Sequence, residues 1–348
     1  METLVDQLKS TYAGKRILVT GHNGFKGSWL VALLNHLGAE VHGISLGIAE
    51  NSPFQSFHLS GSHANHVQDI SDFKNLDNLI KVINPELVFH LAAQALVLDS
   101  YVRPRETFEV NVQGTANVLD STIGTRSLGV IVSTTDKVYK NNNGGIHFVE
   151  TDELWGHDPY SLSKTGAELV VSAWRNLSTS ENWKLVTVRA GNVIGPGDRS
   201  MNRLMPDLIR GFHGGTPVTI RNPGSIRPWQ YVIDPLIGYL IVGGRILNFL
   251  PVSNSYNFGP APSQFASVND LVDLFKSRTL ILTQIIQDES GKESEVLKLN
   301  SELAKDELFW ESNTDLSECI DYIIKFESSD ISSSSMYSHI EEFLLKLG

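Results

Sequence analysis

The sequence predicts an α/β fold: a doubly wound parallel sheet joined to a smaller C-terminal α/β domain. Three observations predict it. Short apolar runs alternate with amphipathic helical repeats through the first half of the chain. Glycines spaced three apart stand between the first apolar run and the first helical repeat. The alternation then loosens after about Ala190, where Gly and Pro become frequent.

The apolar runs are Ile17–Thr20, Val41–Leu46, Leu87–Ala93, Val130–Ser133 and Leu185–Ala190. Each is short and almost wholly apolar, as a parallel strand buried on both faces requires. Between them, Leu30, Leu33, Leu34 and Leu37 recur at helical spacing and Gly38 stops the pattern. Phe73, Leu76, Leu79, Ile80 and Ile83 repeat it until Pro85. Thr107–Ile123 and Tyr160–Arg175 read as two longer helices. The expected division is residues 1–190 for the sheet domain, with a return segment near 231–260, and residues 191–348 mostly for the second domain. Ser328–Ser335 reads as a polar linker before a last amphipathic helix at about Tyr337–Leu347.

Composition narrows the function. With 28 Lys plus Arg against 39 Asp plus Glu, the 348-residue chain has a formal net charge of −11, the wrong sign for a general nucleic-acid binder. One cysteine, Cys319, leaves neither an intramolecular disulfide nor a cysteine-based zinc site. Of the 11 histidines, His58, His63 and His66 are close together but lack ligand spacing, so they read as loop residues and no metal is expected. The first residues have no apolar targeting core, and the apolar stretch Ile237–Val252 is broken by Gly243, Gly244 and Arg245. A cytoplasmic protein without membrane attachment is expected.

The turn Gly21-His22-Asn23-Gly24-Phe25-Lys26-Gly27 sits between a strand and a helix. Glycines there admit a tight turn and let a pyrophosphate approach the backbone, while the helix N-terminus offers unpaired N–H groups. Dinucleotide binding in a Rossmann-type unit is the expectation. The acid that holds a ribose at the end of the second strand is replaced by Ser45, and Lys26 is a candidate partner for a 2′-phosphate. The residues alone therefore leave NAD and NADP both open. Asp69 and Ile70, after the presumed third strand, are candidates for the adenine edge. A plain helix cap is the competing reading for Asp69.

Tyr160 and Lys164 lie four apart, on one face of a helix. A lysine ammonium beside the phenol is expected to lower its pKa from about 10, so that Tyr160 serves as a base. Ser133-Thr134-Thr135-Asp136-Lys137 follows a buried strand at its carboxyl end, where open parallel sheets bind ligands.

These motifs, with Leu91-Ala92-Ala93-Gln94, resemble the extended short-chain dehydrogenase/reductase family. Gly24-Phe25-Lys26-Gly27-Ser28-Trp29, Thr135-Asp136-Lys137, Asp158-Pro159-Tyr160-Ser161, Arg189-Ala190-Gly191-Asn192 and Ile226-Arg227-Pro228-Trp229-Gln230 narrow the resemblance to its nucleotide-sugar 4,6-dehydratase branch, from about Gly14 to Phe326. The resemblance implies NAD, a nucleotide-linked glucose with CDP-glucose as the expected substrate, and a homodimer paired through the two long helices. It implies a cofactor set of Gly21, Asn23, Gly24, Phe25, Lys26, Gly27, Asp69, Ile70, Ala92, Ala93, Gln94, Asn111, Tyr160 and Lys164. Thr135 is then the support for the 4-oxygen, Asp136 the acid at the 6-hydroxyl, and Lys137 the base at C5. Asn192, Arg203 and Arg227 would hold the pyrophosphate, with Arg221 near the nucleoside. A nucleotide-sugar 4-epimerase would share the glycine turn, Tyr160 and Lys164, but would not need Asp136-Lys137. A dinucleotide-sensing protein without catalysis would not need the Tyr160/Lys164 pair. The loop from Asn141 to His157 departs from the branch's usual pattern, as does Leu98-Asp99 where a basic pair is common.

Overall fold

The computed structural model describes residues 2–48, 52–57, 59–142, 144–177, 183–286, 296–329 and 332–347. Seven strands form the central sheet: β1 (Arg16–Thr20), β2 (Glu40–Ser45), β3 (Ala64–Val67), β4 (Leu87–His90), β5 (Gly129–Ser133), β6 (Lys184–Ala190) and β7 (Ser255–Phe258). All pair in parallel, in the order β3-β2-β1-β4-β5-β6-β7. The order reverses direction at β1, beside β4, which opens a crevice at the carboxyl ends of those strands.

The strands are where the apolar runs predict them, with one correction. β4 ends at His90, so Leu91–Ala93 belong to the loop that follows. His90 is the reason the run reads longer. Its ring is buried between the Thr20 hydroxyl at 2.7 Å and the Thr115 hydroxyl at 3.1 Å, so a polar residue completes an apolar strand.

Helix α1 (Leu4–Tyr12) precedes the sheet, and α2 (Phe25–His36) follows β1. α3 (Phe73–Ile83) is capped by Asp72, whose carboxylate accepts from Asn75 N. The predicted helix 107–123 begins earlier, at Pro104, where a proline suits a first helical turn. It passes through a π turn at Glu109–Gln113 and continues as Gly114–Thr122; the whole of 104–122 is α4 here. α5 (Pro159–Leu177) starts on Asp158, which accepts from Ser161 N at 3.0 Å. α6 spans Leu204–Gly214. α7 (Ile233–Leu247) is buried along nearly its whole length and leads back to β7. Its Gly243 leaves no space for a side chain: an added Cβ would lie 2.3 Å from the Tyr12 hydroxyl. That hydroxyl donates to Leu240 O at 2.8 Å, fixing α1 on α7.

Small two-stranded ladders build the rest. Asn192–Ile194 pairs with Trp229–Tyr231, Val218–Arg221 with Thr283–Ile286, and Ile226–Arg227 with Ala266–Ser267. The serine-rich stretch 328–335 is not simply a linker. Among its described residues, Ser332 caps a helix that already starts at Ser333, so the last helix is Ser333–Leu345. Ser–Ser–Ser composition reads as loop, yet the first serine forms a capping box with Ser335. This helix packs against α2. Trp29 of α2 is wholly buried and donates to Pro196 O at 3.1 Å, which fastens the sheet domain to the loop after β6. His66 is not in a loop either. It lies on β3, stacked on His42 of β2. His58 lies outside the described residues. No group of three metal-ligating side chains occurs among the described residues, and no described helix is long and apolar enough to cross a membrane.

Candidate active site

A cavity of about 310 Å³ opens at the carboxyl ends of the strands. The glycine turn forms one side. Gly21 has φ +73°, and an added Cβ would fall 2.7 Å from Ala92 N; at Gly27 it would fall 2.1 Å from Gly21 O. No side chain fits between these backbones. Gly24 is the N-cap of α2 and carries no side chain to accept from the helix's first amides. Those N–H groups and the positive end of the helix suit an anionic diphosphate. The cradle therefore fits a dinucleotide.

Asn23 donates to Leu46 O at 3.0 Å, across the end of β2. Asp69 is exposed and accepts from Ser71 N at 2.8 Å; Asp72, not Asp69, caps α3. Ile70 is buried with its side chain against Gly114. Phe25 and Ala93 line the cavity. Asn111, in the π turn, is a brace: its amide donates to Gln94 O and Ser163 Oγ, and its oxygen accepts from Gln94 N at 2.9 Å. It thereby holds the loop at Gln94 onto α5.

Lys26 is the clearest correction to the sequence reading. Its ammonium points inward, donating to Ser133 Oγ at 3.2 Å and to the Tyr239 hydroxyl at 3.4 Å. It lines the cavity with its ammonium engaged by Ser133 and Tyr239.

Tyr160 and Lys164 project from α5 into the cavity wall. Lys164 donates to Ser133 O at 2.9 Å. Burial, then the Lys26 charge, push its pKa down to about 7, with Glu168 opposing. The tyrosine does not follow the simple expectation. Burial raises Tyr160 to about 12, against the lowering influence of Arg203 and the Thr135 hydroxyl. Enclosure by protein costs the phenolate more than the nearby cations return.

Thr135 and Lys137 line the cavity; Asp136 lies between them in sequence and is 1% exposed. One carboxylate oxygen accepts from the Thr135 hydroxyl at 3.0 Å, and the other has no partner. Burial raises its pKa, opposed by Lys137, Thr135 and Arg227. A buried carboxyl with an unpaired oxygen is suited to holding a proton and giving it away.

Across the cavity, Asn192, Arg203, Arg221 and Arg227 share the wall with Asp198, Met201, Asn202 and Trp229. Asn192 Oδ1 is buried without a partner. Arg203 donates to Ala95 O at 3.1 Å and lies 3.6 Å from Asp198. Arg221 reaches Asn202 O at 3.4 Å, and Arg227 donates to Ile226 O at 3.0 Å.

Sequence reasoning missed the support beneath this wall. Glu168, one helical turn beyond Lys164, is buried and meets Arg189 of β6 through two hydrogen bonds of 2.8 and 3.0 Å. The Thr134 hydroxyl donates to the same carboxylate at 2.6 Å. Arg189 and Thr134 outweigh burial and hold Glu168 ionised. Arg189 also donates to the Tyr139 hydroxyl, which donates to Asn257 of β7. The available signal was the spacing Tyr160, Lys164, Glu168, which places all three on one face of α5.

The chain belongs to the NAD dependent epimerase/dehydratase family, whose sequence profile matches residues 17–245. NAD is therefore its dinucleotide. Among characterised relatives, it is similar to the CDP-glucose 4,6-dehydratase of Salmonella typhimurium, with 40% identity over 94% of each chain. Its fold is similar to that of an epimerase from Methanothermobacter thermautotrophicus, with a TM-score of 0.81 and 22% identity over 93% of this chain and 95% of that one. The UDP-glucose 4-epimerase of Thermus thermophilus is also similar, with a TM-score of 0.79 and 22% identity over 90% and 99%.

Proposed function

We propose that the chain is a nucleotide-sugar 4,6-dehydratase, a hydro-lyase that converts CDP-glucose to CDP-4-dehydro-6-deoxyglucose. The observation that carries this reading is Asp136: buried, raised in pKa and left with one unpaired carboxylate oxygen, between two residues of the cavity wall that also holds Tyr160. An epimerase needs no proton donor there. The CDP-glucose dehydratase relative, aligned over nearly the whole chain, supports the substrate.

Bound NAD supplies the oxidant at C4 and the reductant at C6. The glycine turn and the amides of α2 hold its diphosphate. Asn192, Arg203 and Arg227 hold the sugar's pyrophosphate, where an arginine fork matches the phosphate oxygens, and Arg221 lies toward the nucleoside. Tyr160 takes the proton of the 4-hydroxyl, and the Thr135 hydroxyl supports the 4-oxygen as it becomes a ketone. The ketone acidifies H5. Lys137, as the neutral amine, removes that proton and becomes an ammonium, and Asp136 protonates the 6-hydroxyl as it leaves as water. A proton returned to C5 completes the 4-keto-6-deoxy sugar.

The test uses CDP-glucose deuterated at C4, in ordinary water. Deuterium is expected at C6 of a keto product. A galactose-configured product that keeps deuterium at C4 overturns the dehydratase reading.

We also propose a homodimer paired through α4 and α5. Val102, Phe108 and Leu169 are exposed apolar side chains on these helices and the short helix before them, which supports a covered face. Sedimentation at micromolar concentration is expected to give a dimer, and Leu169→Glu a monomer. A wild-type monomer under those conditions contradicts the proposal.

A further inference from the structure

Two lysines from distant parts of the chain meet on one residue. Lys26, from the first turn of α2, donates to the Ser133 hydroxyl at 3.2 Å. Lys164, from α5, donates to the Ser133 carbonyl at 2.9 Å. Both ammonium groups are thus held on the two polar groups of a buried serine at the end of β5. Lys26 has a third contact in Tyr239 of α7, whose hydroxyl is 3.4 Å away and whose ring centroid is 5.5 Å away. A hydroxyl, a phenol and a π face stabilise a cation less than a carboxylate does.

We propose that Lys26 is a positioning residue of the reaction: through Ser133 it forms a lysine pair with Lys164 at the cavity wall, and its charge governs how readily Lys164 keeps its own proton beside Tyr160. The proposal rests on the dehydratase reading only for the meaning of the activity profile. The pair itself is a property of the fold.

The surroundings define the balance. Around Lys164 stand Tyr160 and Glu168 on its own helix, His90 on β4, and Lys26 on α2. Burial and the Lys164 charge keep His90 near a pKa of about 3, so it stays neutral. Glu168 is the negative group on this side and is shared with Arg189 and Thr134. Around Lys26 stand Asp136 after β5, Arg203 before α6, and the Tyr239 phenol on α7. Burial, then Arg203, push Lys26 down to about 8, with Asp136 opposing. Two like charges held on one serine titrate as a pair, so a charge on one makes a charge on the other harder to keep. Removing the Lys26 charge lets Lys164 hold its proton to higher pH. Activity that depends on protonated Lys164 then persists to higher pH.

The test follows lysine side chains by ¹³C NMR in the NAD-loaded protein, with the pH profile of kcat measured alongside. In Lys26→Met the titration midpoint of Lys164 is expected to rise by roughly one pH unit, and the alkaline limb of the profile to move with it. Lys26→Arg, which keeps the charge, is expected to titrate close to the wild type. A Lys164 midpoint that does not move in folded Lys26→Met overturns the proposal. If Lys26→Met does not fold, the wild-type titration decides. Two coupled, displaced midpoints support the pair; two independent curves near the ordinary lysine value overturn it. Because the NMR reading needs no turnover, a failure of the dehydratase assignment leaves this result interpretable by itself.

Discussion

Tyr160→Phe is expected to lower turnover of CDP-glucose by about 10²–10⁴-fold, the range associated with a positioned general base. The backbone of Tyr160 is tied to Ser100 Oγ and Ser163 Oγ, and these bonds survive the substitution. Circular dichroism is therefore expected to match the wild type while the first step fails. No reduced-nicotinamide absorbance is expected to appear on adding substrate. With Tyr160 raised to about 12 and Lys164 lowered to about 7, a phenolate beside an ammonium is the minority state at neutral pH. Retention of wild-type turnover in Tyr160→Phe would mean that another group removes the 4-hydroxyl proton.

Asp136→Asn tests the later half of the reaction. The amide keeps the shape of the side chain but cannot donate a carboxylic-acid proton. Loss of water is expected to slow by about 10²–10⁴-fold, while oxidation at C4 continues, so reduced-nicotinamide absorbance accumulates with substrate. The contrast between the two variants separates the steps: Tyr160→Phe blocks the signal and Asp136→Asn traps it. Full dehydration by Asp136→Asn would remove the residue from the mechanism. Stability is expected to change little or to rise, because burial already disfavours the charged carboxylate that the amide replaces.

Much of the fold was legible because buried parallel strands leave an apolar mark that few other elements share. The runs before the glycine turn, before Thr134 and before Gly191 all became strands of one parallel sheet. Strand β7 left a weaker mark. Ser-Tyr-Asn-Phe is short, and Asn257 is polar because its amide serves Phe148 O, Asn300 O and the Tyr139 hydroxyl. Serines after Phe326 read as a linker because composition does not reveal which serine turns its hydroxyl onto a helix end.

The site was legible as a set of residue types but not as a set of directions. Tyr160, Lys164, Thr135 and Lys137 meet on one cavity wall. The sequence has no means of saying that Lys26 turns inward to Ser133, because that depends on β5 and α7, 107 and 213 residues away. The same holds for Glu168 and Arg189, which join α5 to β6. Their pairing supports Thr134 from below. Removing one partner of such a buried pair typically costs about 3–5 kcal/mol.

The edge position of β7 bears on how the chain is made. Its partner β6 leaves the ribosome first, followed by the segments that wall the substrate cavity and by α7, and only then does β7 arrive to cover the edge. At synthesis rates of about 5–20 residues per second, β6 waits several seconds with one row of backbone groups uncovered. During that interval the nascent sheet resembles an open template for strand addition. A gene fragment stopped after Ala190 makes the interval permanent. Expression is therefore expected to favour fragments that run past Phe258, because β7 then covers the open edge of β6.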